Sequence, residues 1–338
     1  MKAYRIFSGR NEDALARVEH NVSNPRAREV RVRVHAASLN YRDLNIASGR
    51  YQLSAENPPI AVADGAGEVI AIGPQVTRFK VGEHVAMPYF PDWIAGEPTP
   101  ENLHKIPGAT IDGTLAEEVL VSEDLLISVP SWLQFTEAAT LPCAGVTAWN
   151  ALFVAGGAKP GNTVLLLGTG GVSIWALQLA KAAGLRAIIT SSNDEKLERA
   201  RSLGADHAIN YRSNPDWQNE VLRITEGRGV DLVVEVGGDG TLERSVSSTR
   251  MGGTVAVVGG VSGFSTKLDL IPLVVRGTRL IGVVVGSRAM FEDLNRFITA
   301  TKIRPTIDRV FSFDAAREAF AYLASANHFG KVVIQVGD

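Results

Sequence analysis

Gly168, Gly170 and Gly171 stand directly behind the apolar run Val164–Leu167. Glycines at that spacing suit a chain that turns sharply and then brings its backbone up to a phosphate. Gly168 permits the turn, and Gly170 lets backbone approach a pyrophosphate. Thr169 and Val172 complete the segment. A helix starting there adds unpaired N–H groups and a partial positive charge. Ser173 replaces the third glycine of the G-x-G-x-x-G pattern, and its small side chain still permits close helix–strand packing. A glycine turn alone is also an ordinary strand–helix connection, so the surrounding elements must decide.

Those elements are present. Val172, Ala176, Leu179, Ala180 and Ala183 repeat at helical spacing, and Gly184 stands where the helix would stop. Strand-like runs follow at Ala187–Ile189, Ala208–Asn210, Asp231–Val236, Thr254–Gly259 and Leu280–Val285. With the first run they make six, and helical stretches such as Glu195–Leu203 and Trp217–Thr225 separate most of them. Six strands in this setting predict a doubly wound parallel sheet, a Rossmann domain that binds a dinucleotide.

Ser191 ends the second strand, 23 positions after Gly168. An Asp or Glu there would bind the ribose 2′-hydroxyl of NAD. Ser191, Ser192 and Lys196 can instead hydrogen-bond a 2′-phosphate and supply a positive charge, which predicts NADP. The other reading makes Thr190–Asn193 a polar loop and lets Asp194 or Glu195 reach the ribose, which restores NAD.

The 338 residues suffice for about two domains. Hydrophobic content of 45% and charged content of 21% describe a soluble globular chain. A net charge of −2 gives no reason to expect nucleic acid or an anionic membrane as partner. No apolar run approaches the ~18 residues of a membrane span. The single cysteine, Cys143, excludes an intrachain disulfide and a multi-cysteine zinc site. With no apolar core of a signal peptide near the N-terminus, these features predict a cytoplasmic protein.

Residues 1 to about 127 read as β-rich. Val30–Val34, Glu68–Ile72, His84–Met87 and Leu115–Val121 are the expected strands. Residues 88–112 carry five prolines and little periodicity, as functional or mobile loops do. Short helices are expected at Thr136–Leu141 and Val146–Val154. The tail has helical segments at Met290–Ala300 and Ala315–Ser325 and a strand at Lys331–Val336. The first domain is therefore built from both ends of the chain.

This layout resembles the medium-chain dehydrogenase/reductase superfamily, which includes alcohol dehydrogenases and quinone reductases. The landmarks run in order: AASLNYRD at 36–43, DGAGEV at 64–69, VGEHV at 81–85, LPCAGVTAWNAL at 141–152, GTGGVS at 168–173, LGADHAINY at 203–211 and HFGKVV at 328–333. The resemblance implies an α/β protein with a GroES-like β-rich catalytic domain, residues 1–127 and 287–338, beside a Rossmann domain, residues 128–286. It implies an active site in the cleft between them and a homodimer formed through Leu280–Val285. It places Thr147 beside the nicotinamide and Tyr211 beside the adenosine. It also expects Gly259, Val285, Gly286, Phe329, Gly330 and Lys331 to contact the cofactor. The plainer alternatives are a helix-start hydroxyl for Thr147, turn glycines for Gly259 and Gly260, and a surface residue for Tyr211.

Departures from the family pattern bear on the chemistry. Asn40 stands where the first cysteine ligand of a zinc alcohol dehydrogenase would be, and Ala63 where the histidine would be. Cys143 matches the third ligand, and the structural-zinc lobe is replaced by residues 88–112. One ligand of three cannot hold catalytic zinc, so no metal is expected and Cys143 reads as a small buried residue. Without a Lewis acid, hydrogen-bond donors must polarise a carbonyl. Asn40, Tyr41 and Tyr51 are the candidates, with Asn40 and Tyr51 carrying suitable donors. Trp93 and His104 are candidate pocket residues. His35, His84 and His207 read as structural or surface residues.

Three functions compete. The first is a zinc-independent oxidoreductase passing hydride from NADPH to an enone, quinone or other carbonyl-type small molecule. The second is an alcohol dehydrogenase with an atypical zinc site using Asp64 and Cys143. The third is an NADPH-binding protein without catalysis.

Overall fold

The computed structural model describes residues 1–51, 53, 57–265 and 267–337. The chain folds as two units, Met1–Val146 with Gly286–Asp338, and Thr147–Val285.

The second unit is organised on a six-stranded sheet in the order His207–Asn210, Arg186–Ser191, Thr163–Leu166, Val230–Glu235, Thr249–Val257, Arg279–Gly282. Every neighbouring pair is parallel. This is the 3-2-1-4-5-6 order of a complete dinucleotide-binding sheet, as the apolar runs predict. The inner strands are continuously apolar because helices cover both faces. Leu165, Ile188, Val233 and Val255 are fully buried. Strand ends differ from the sequence reading. Thr249–Val257 starts five residues early, because the register shifts between Val230 and Leu232 and lets it begin beside Val230. Arg279–Gly282 stops short of Val285, whose φ of 46° no ladder strand adopts.

The first unit is built on a mixed sheet. Its order is Ile307–Ser312, Lys331–Gln335, Glu29–Ser38, Asp64–Ile72, His84–Ala86, Ile127–Ser128, with Glu118–Ser122 also pairing with Glu29–Ser38. Val30, Val32 and Val34 alternate inward, as their period of two demands. Strand Ile307–Ser312 is parallel to Lys331–Gln335 and was not expected; its Arg and Asp residues hide the pattern. Helices Arg288–Thr301 and Ala316–Ala324 fall where the 3.6-residue period puts them.

Residues 128–146, which the sequence reading assigns to the nucleotide-binding unit, fall with the first unit. Arg304 pairs with Glu137 at 2.6 Å, and Cys143 N donates to Asp64 Oδ2 at 3.2 Å. The expected helix Val146–Val154 is helical at Val146–Trp149 and widens to a π-turn at Asn150–Val154. A second π-turn covers Leu141–Gly145. Such wide turns re-aim backbone groups and collect at functional sites. No helix among the described residues is long and apolar enough to cross a membrane.

Candidate active site

Three neighbouring strands of the first unit bring one polar cluster together. Ser38 pairs with Val333 on one side and with Asp64 on the other. Carried two residues further, the antiparallel register sets Lys331 opposite Asn40. Leu39 N donates to Val332 O at 3.0 Å and holds that register past the end of the strand. Asn40 then caps the helix Tyr41–Ala47, with Asn40 N donating to Asp43 Oδ2 at 2.9 Å.

The Lys331 side chain is 3% exposed. Its ammonium donates to Leu39 O at 2.6 Å and to Asn40 Oδ1 at 2.7 Å, and lies 4.0 Å from Asp64 Oδ2. Asp64 is fully buried and accepts from Cys143 N, which the π-turn Leu141–Gly145 delivers. Burial raises the Asp64 carboxyl to about 6, against the pull of the Lys331 ammonium. The nearby Asn40 amide also favours the charged form. Among the described residues neither Asn40 Nδ2 nor Asp64 Oδ1 completes a hydrogen bond of ordinary geometry, though the amide lies close enough to Asp64 to act on its carboxyl.

Beside this group Arg42 donates to Asp43 Oδ1 at 3.2 Å and to Pro107 O at 3.0 Å. Its guanidinium lies 5.1 Å from the Tyr89 ring centroid, a cation–π contact. Burial holds the Tyr89 hydroxyl well above the ordinary tyrosine range. Cys143 keeps partial exposure as a residue, contrary to the expectation of a buried cysteine. Its thiol nonetheless sits in dry surroundings: burial, reinforced by Asp64, pushes it up to about 12.

Of the three expected catalytic residues, Asn40 belongs to the buried polar cluster itself. Tyr41 projects from the helix at 39% exposure. Tyr51 packs on the core of the first unit, with its hydroxyl near enough to Tyr89 to bear on that group's ionisation. Trp93 is buried rather than lining a pocket: its ring packs near Phe90 and its Nε1 donates to Gly96 O at 3.0 Å. His104 is exposed and bonds to Glu101 O. His35 and His84 flank the Phe135 ring.

The second unit holds the glycine turn. Gly168 has φ 72°, which a side chain would strain, and Gly168 N donates to Thr190 Oγ1 at 3.2 Å. Helix Gly171–Ala182 starts behind Gly170 with no side-chain cap, which leaves its first N–H groups without a side-chain acceptor at the cap. Ser173 does the work of the missing glycine: it is buried, and its hydroxyl donates to Leu167 O at 2.6 Å. Val172 lies in the first turn of that helix.

Ser191 is 3% exposed, with its Oγ 3.4 Å from Thr169 Oγ1. Ser192 and Lys196 are half-buried beside it, and Tyr211, 40% exposed, donates its N–H to Ser191 O at 3.0 Å. Asp194 Oδ1 accepts from Asn210 Nδ2 at 2.8 Å, and Glu195 stands beside it in the first turn of the same helix. Thr147 is buried, and Val285 O accepts from Asn150 Nδ2 at 2.9 Å. Gly259 lies close under Val236 O, leaving 3.3 Å for a Cβ.

Back in the first unit, Phe329 is buried. Gly286 and Gly330 have packing reasons of their own: a Cβ would come within 2.7 Å of Val146 Cγ1 and 2.5 Å of Thr306 O respectively.

The alcohol dehydrogenase GroES-like domain family matches residues 26–131, and the zinc-binding dehydrogenase family matches residues 171–300. A zinc-type alcohol dehydrogenase-like protein of Schizosaccharomyces pombe is 43% identical over 314 residues, 91% of each chain. The chain belongs to the medium-chain dehydrogenase/reductase superfamily. Among solved structures, an NAD-dependent alcohol dehydrogenase is 34% identical with a TM-score of 0.90 over 100% of both chains. A quinone oxidoreductase of Pseudomonas syringae pv. Tomato DC3000 is 27% identical with a TM-score of 0.83 over 99% of both. As a medium-chain dehydrogenase/reductase, the protein is an oxidoreductase that uses a nicotinamide cofactor.

The residues here do not fit the zinc that many superfamily members carry. Ala63 has no donor atom, and Asn40 Oδ1 is bonded to an ammonium. Among the described residues no group of three or more His, Cys, Asp or Glu side chains converges as a metal site. The sequence reading did not single out Arg42 and Tyr89, and it gave Lys331 as a cofactor residue without its bond to Asn40. The NYRD landmark contains Arg42; nothing local marks Tyr89.

Proposed function

We propose that this protein is a zinc-independent, NADPH-dependent oxidoreductase acting on an enone, quinone or other carbonyl-type small molecule. The observation that carries the reading is Lys331, whose ammonium holds the amide oxygen of Asn40 where a metal ligand would stand. The bound nicotinamide supplies the hydride. Asn40 Nδ2 donates to the oxygen on which negative charge develops. A water or the Tyr51 hydroxyl delivers the proton that completes the reduced product. NADPH consumption across quinones, enones and aldehydes tests the reading. No turnover with any class, despite cofactor binding, would favour the non-catalytic alternative.

Zinc independence has its own test. Protein purified without chelator is expected to carry well under one zinc per chain and to keep its activity in EDTA. About one tightly held zinc, with activity lost on its removal, would make the atypical-zinc alternative correct.

For the cofactor, the absence of a carboxylate at Ser191 and the nearby Lys196 support NADPH. The one-cysteine composition supports a cytoplasmic setting.

We also propose a homodimer through Leu280–Val285. Arg279–Gly282 is the edge strand of its sheet, and an uncovered edge invites pairing. Apolar side chains lie open in the same unit: Leu280, Val284, and Ile271, Val274 and Val275 on helix Leu270–Arg276. Sedimentation is expected to give a dimer at micromolar concentration. A monomer there would remove the proposal.

A further inference from the structure

Tyr89 and Pro107 stand near the two ends of the proline-rich stretch 88–112, and both meet Arg42. We propose that Tyr89 is the proton donor of the reduction and that Arg42 is the positioning residue that holds its phenol and stabilises the phenolate left behind. This deepens the function proposed above, rests on it, and gives Tyr89 the step left there to water or Tyr51.

The Tyr89 ring is held from two directions. The Arg42 guanidinium lies 5.1 Å from its centroid, and the Phe90 ring stands edge-on at 4.8 Å. Arg42 is itself fixed, with Nη2 donating to Asp43 Oδ1 at 3.2 Å and to Pro107 O at 3.0 Å. Its Nε and Nη1 are buried and make no hydrogen bond among the described residues. A guanidinium so placed lends its charge to the aromatic ring it covers. Tyr89 is 9% exposed; among the described residues its hydroxyl makes no hydrogen bond and is not one of the buried polar atoms that lack a partner. The ring is therefore the buried part of the residue, and the hydroxyl is the part that a small molecule can reach. Buried tyrosines usually spend that hydroxyl on a partner. Arg42, Cys143, Tyr51 and Asp43 all bear on its ionisation. Two of them belong to the polar cluster, since Cys143 N donates to Asp64 and Asn40 N donates to Asp43. Burial keeps the phenol protonated through neutral pH, so the donor is loaded before each turnover, and Arg42 opposes burial by favouring the phenolate. As the substrate carbon accepts hydride, its π electron pair moves to the substrate oxygen. The Tyr89 O–H bond breaks, its proton forms the new O–H bond, and water returns a proton to the phenolate.

The experiment measures kcat for NADPH-dependent reduction of 2-cyclohexen-1-one and 1,4-benzoquinone, with NADPH dissociation constants alongside. Tyr89→Phe keeps the ring between Arg42 and Phe90 and is expected to lower kcat about 100-fold with the enone, while NADPH affinity changes less than about threefold. The loss is expected to be about tenfold smaller with the quinone, whose reduced oxygen is less basic and needs an acid less. Arg42→Met is expected to cost about tenfold with the enone, and Arg42→Lys, which keeps the charge, less than about threefold. In the Tyr89→Phe background Arg42→Met is expected to cost less than about threefold more, because Arg42 acts through the phenol. Should Arg42→Met fail to fold, the pair Asp43→Asn/Arg42→Met, compared with Asp43→Asn alone, supplies the same ratio. Wild-type kcat in Tyr89→Phe, or one equal loss with both probes, would overturn the donor role and leave the reductase reading intact. Losses that multiply in the double variant would overturn the role of Arg42. A wild type that reduces neither probe would overturn the functional reading and this inference with it.

Discussion

Glu235→Ala is expected to destabilise the nucleotide-binding unit by about 3 kcal/mol, the largest single loss of stability anticipated in that unit. Glu235 ends strand Val230–Glu235 and is fully buried. Its Oε1 accepts from Gly237 N at 2.6 Å, Gly238 N at 3.0 Å and Thr241 Oγ1 at 2.7 Å, while Oε2 accepts from Ser245 Oγ. Alanine removes every acceptor at once. The two hydroxyls can rotate toward other partners, but the two backbone N–H groups cannot. Each buried N–H left unsatisfied costs about 1–3 kcal/mol. Glu235→Gln keeps Oε1 for three of the donors and can donate Nε2 to the Ser245 hydroxyl, so about 1 kcal/mol is expected. Urea unfolding of the three proteins measures both differences. Equal losses for Ala and Gln would mean that the hydrogen-bond account is incorrect. The turn Glu235 holds lies at the carboxyl end of the sheet, where dinucleotides bind. NADPH affinity is therefore expected to fall in Glu235→Ala as well.

Ser191→Asp is expected to invert the cofactor preference. A 2′-phosphate carries about two negative charges near neutral pH. One charge-assisted hydrogen bond to it contributes roughly 1.5–3 kcal/mol, which corresponds to about a 10–100-fold preference for NADPH in the wild type. Ser191 lies at the end of strand Arg186–Ser191, and Asn193 Oδ1 accepts from Lys196 N at 3.0 Å, setting the start of the following helix. An aspartate at 191 repels the phosphate and offers the ribose diol an acceptor, so NADH becomes the tighter ligand. The neighbouring Thr169 hydroxyl, 3.4 Å from Ser191 Oγ, is placed to hydrogen-bond the new carboxylate. Dissociation constants for both cofactors at one ionic strength decide the matter. Equal or tighter NADH binding by the wild type would end the Ser191 argument.

Much of this molecule is legible in local sequence. The glycine turn sits between a buried strand and an amphipathic helix, and short-range physics suffices to write all three. The six apolar runs of the second unit appear in the sheet because strands buried on both faces must be continuously apolar. Ser173 could be read as a tolerated third glycine because its size alone decided the matter. Strand Ile307–Ser312 escaped because an edge strand with one buried residue among charged ones carries no such signal.

The candidate site is different in kind. Lys331 and Asn40 lie 291 residues apart, and Asp64 reaches them only through the pairing of a third strand. A motif such as HFGKVV announces a strand but not what stands across from it. Antiparallel register, set by burial on one face and by the Leu39–Val332 bond, chose the ammonium as the partner of Asn40. The same holds for Cys143, whose thiol is set by Asp64 and burial, and for Trp93, which a proline-rich loop folds inward. The sequence by itself determined which residue types were available and which elements carry them. Only the tertiary structure decided which charges share a dry space, because that depends on pairing between segments far apart in the chain.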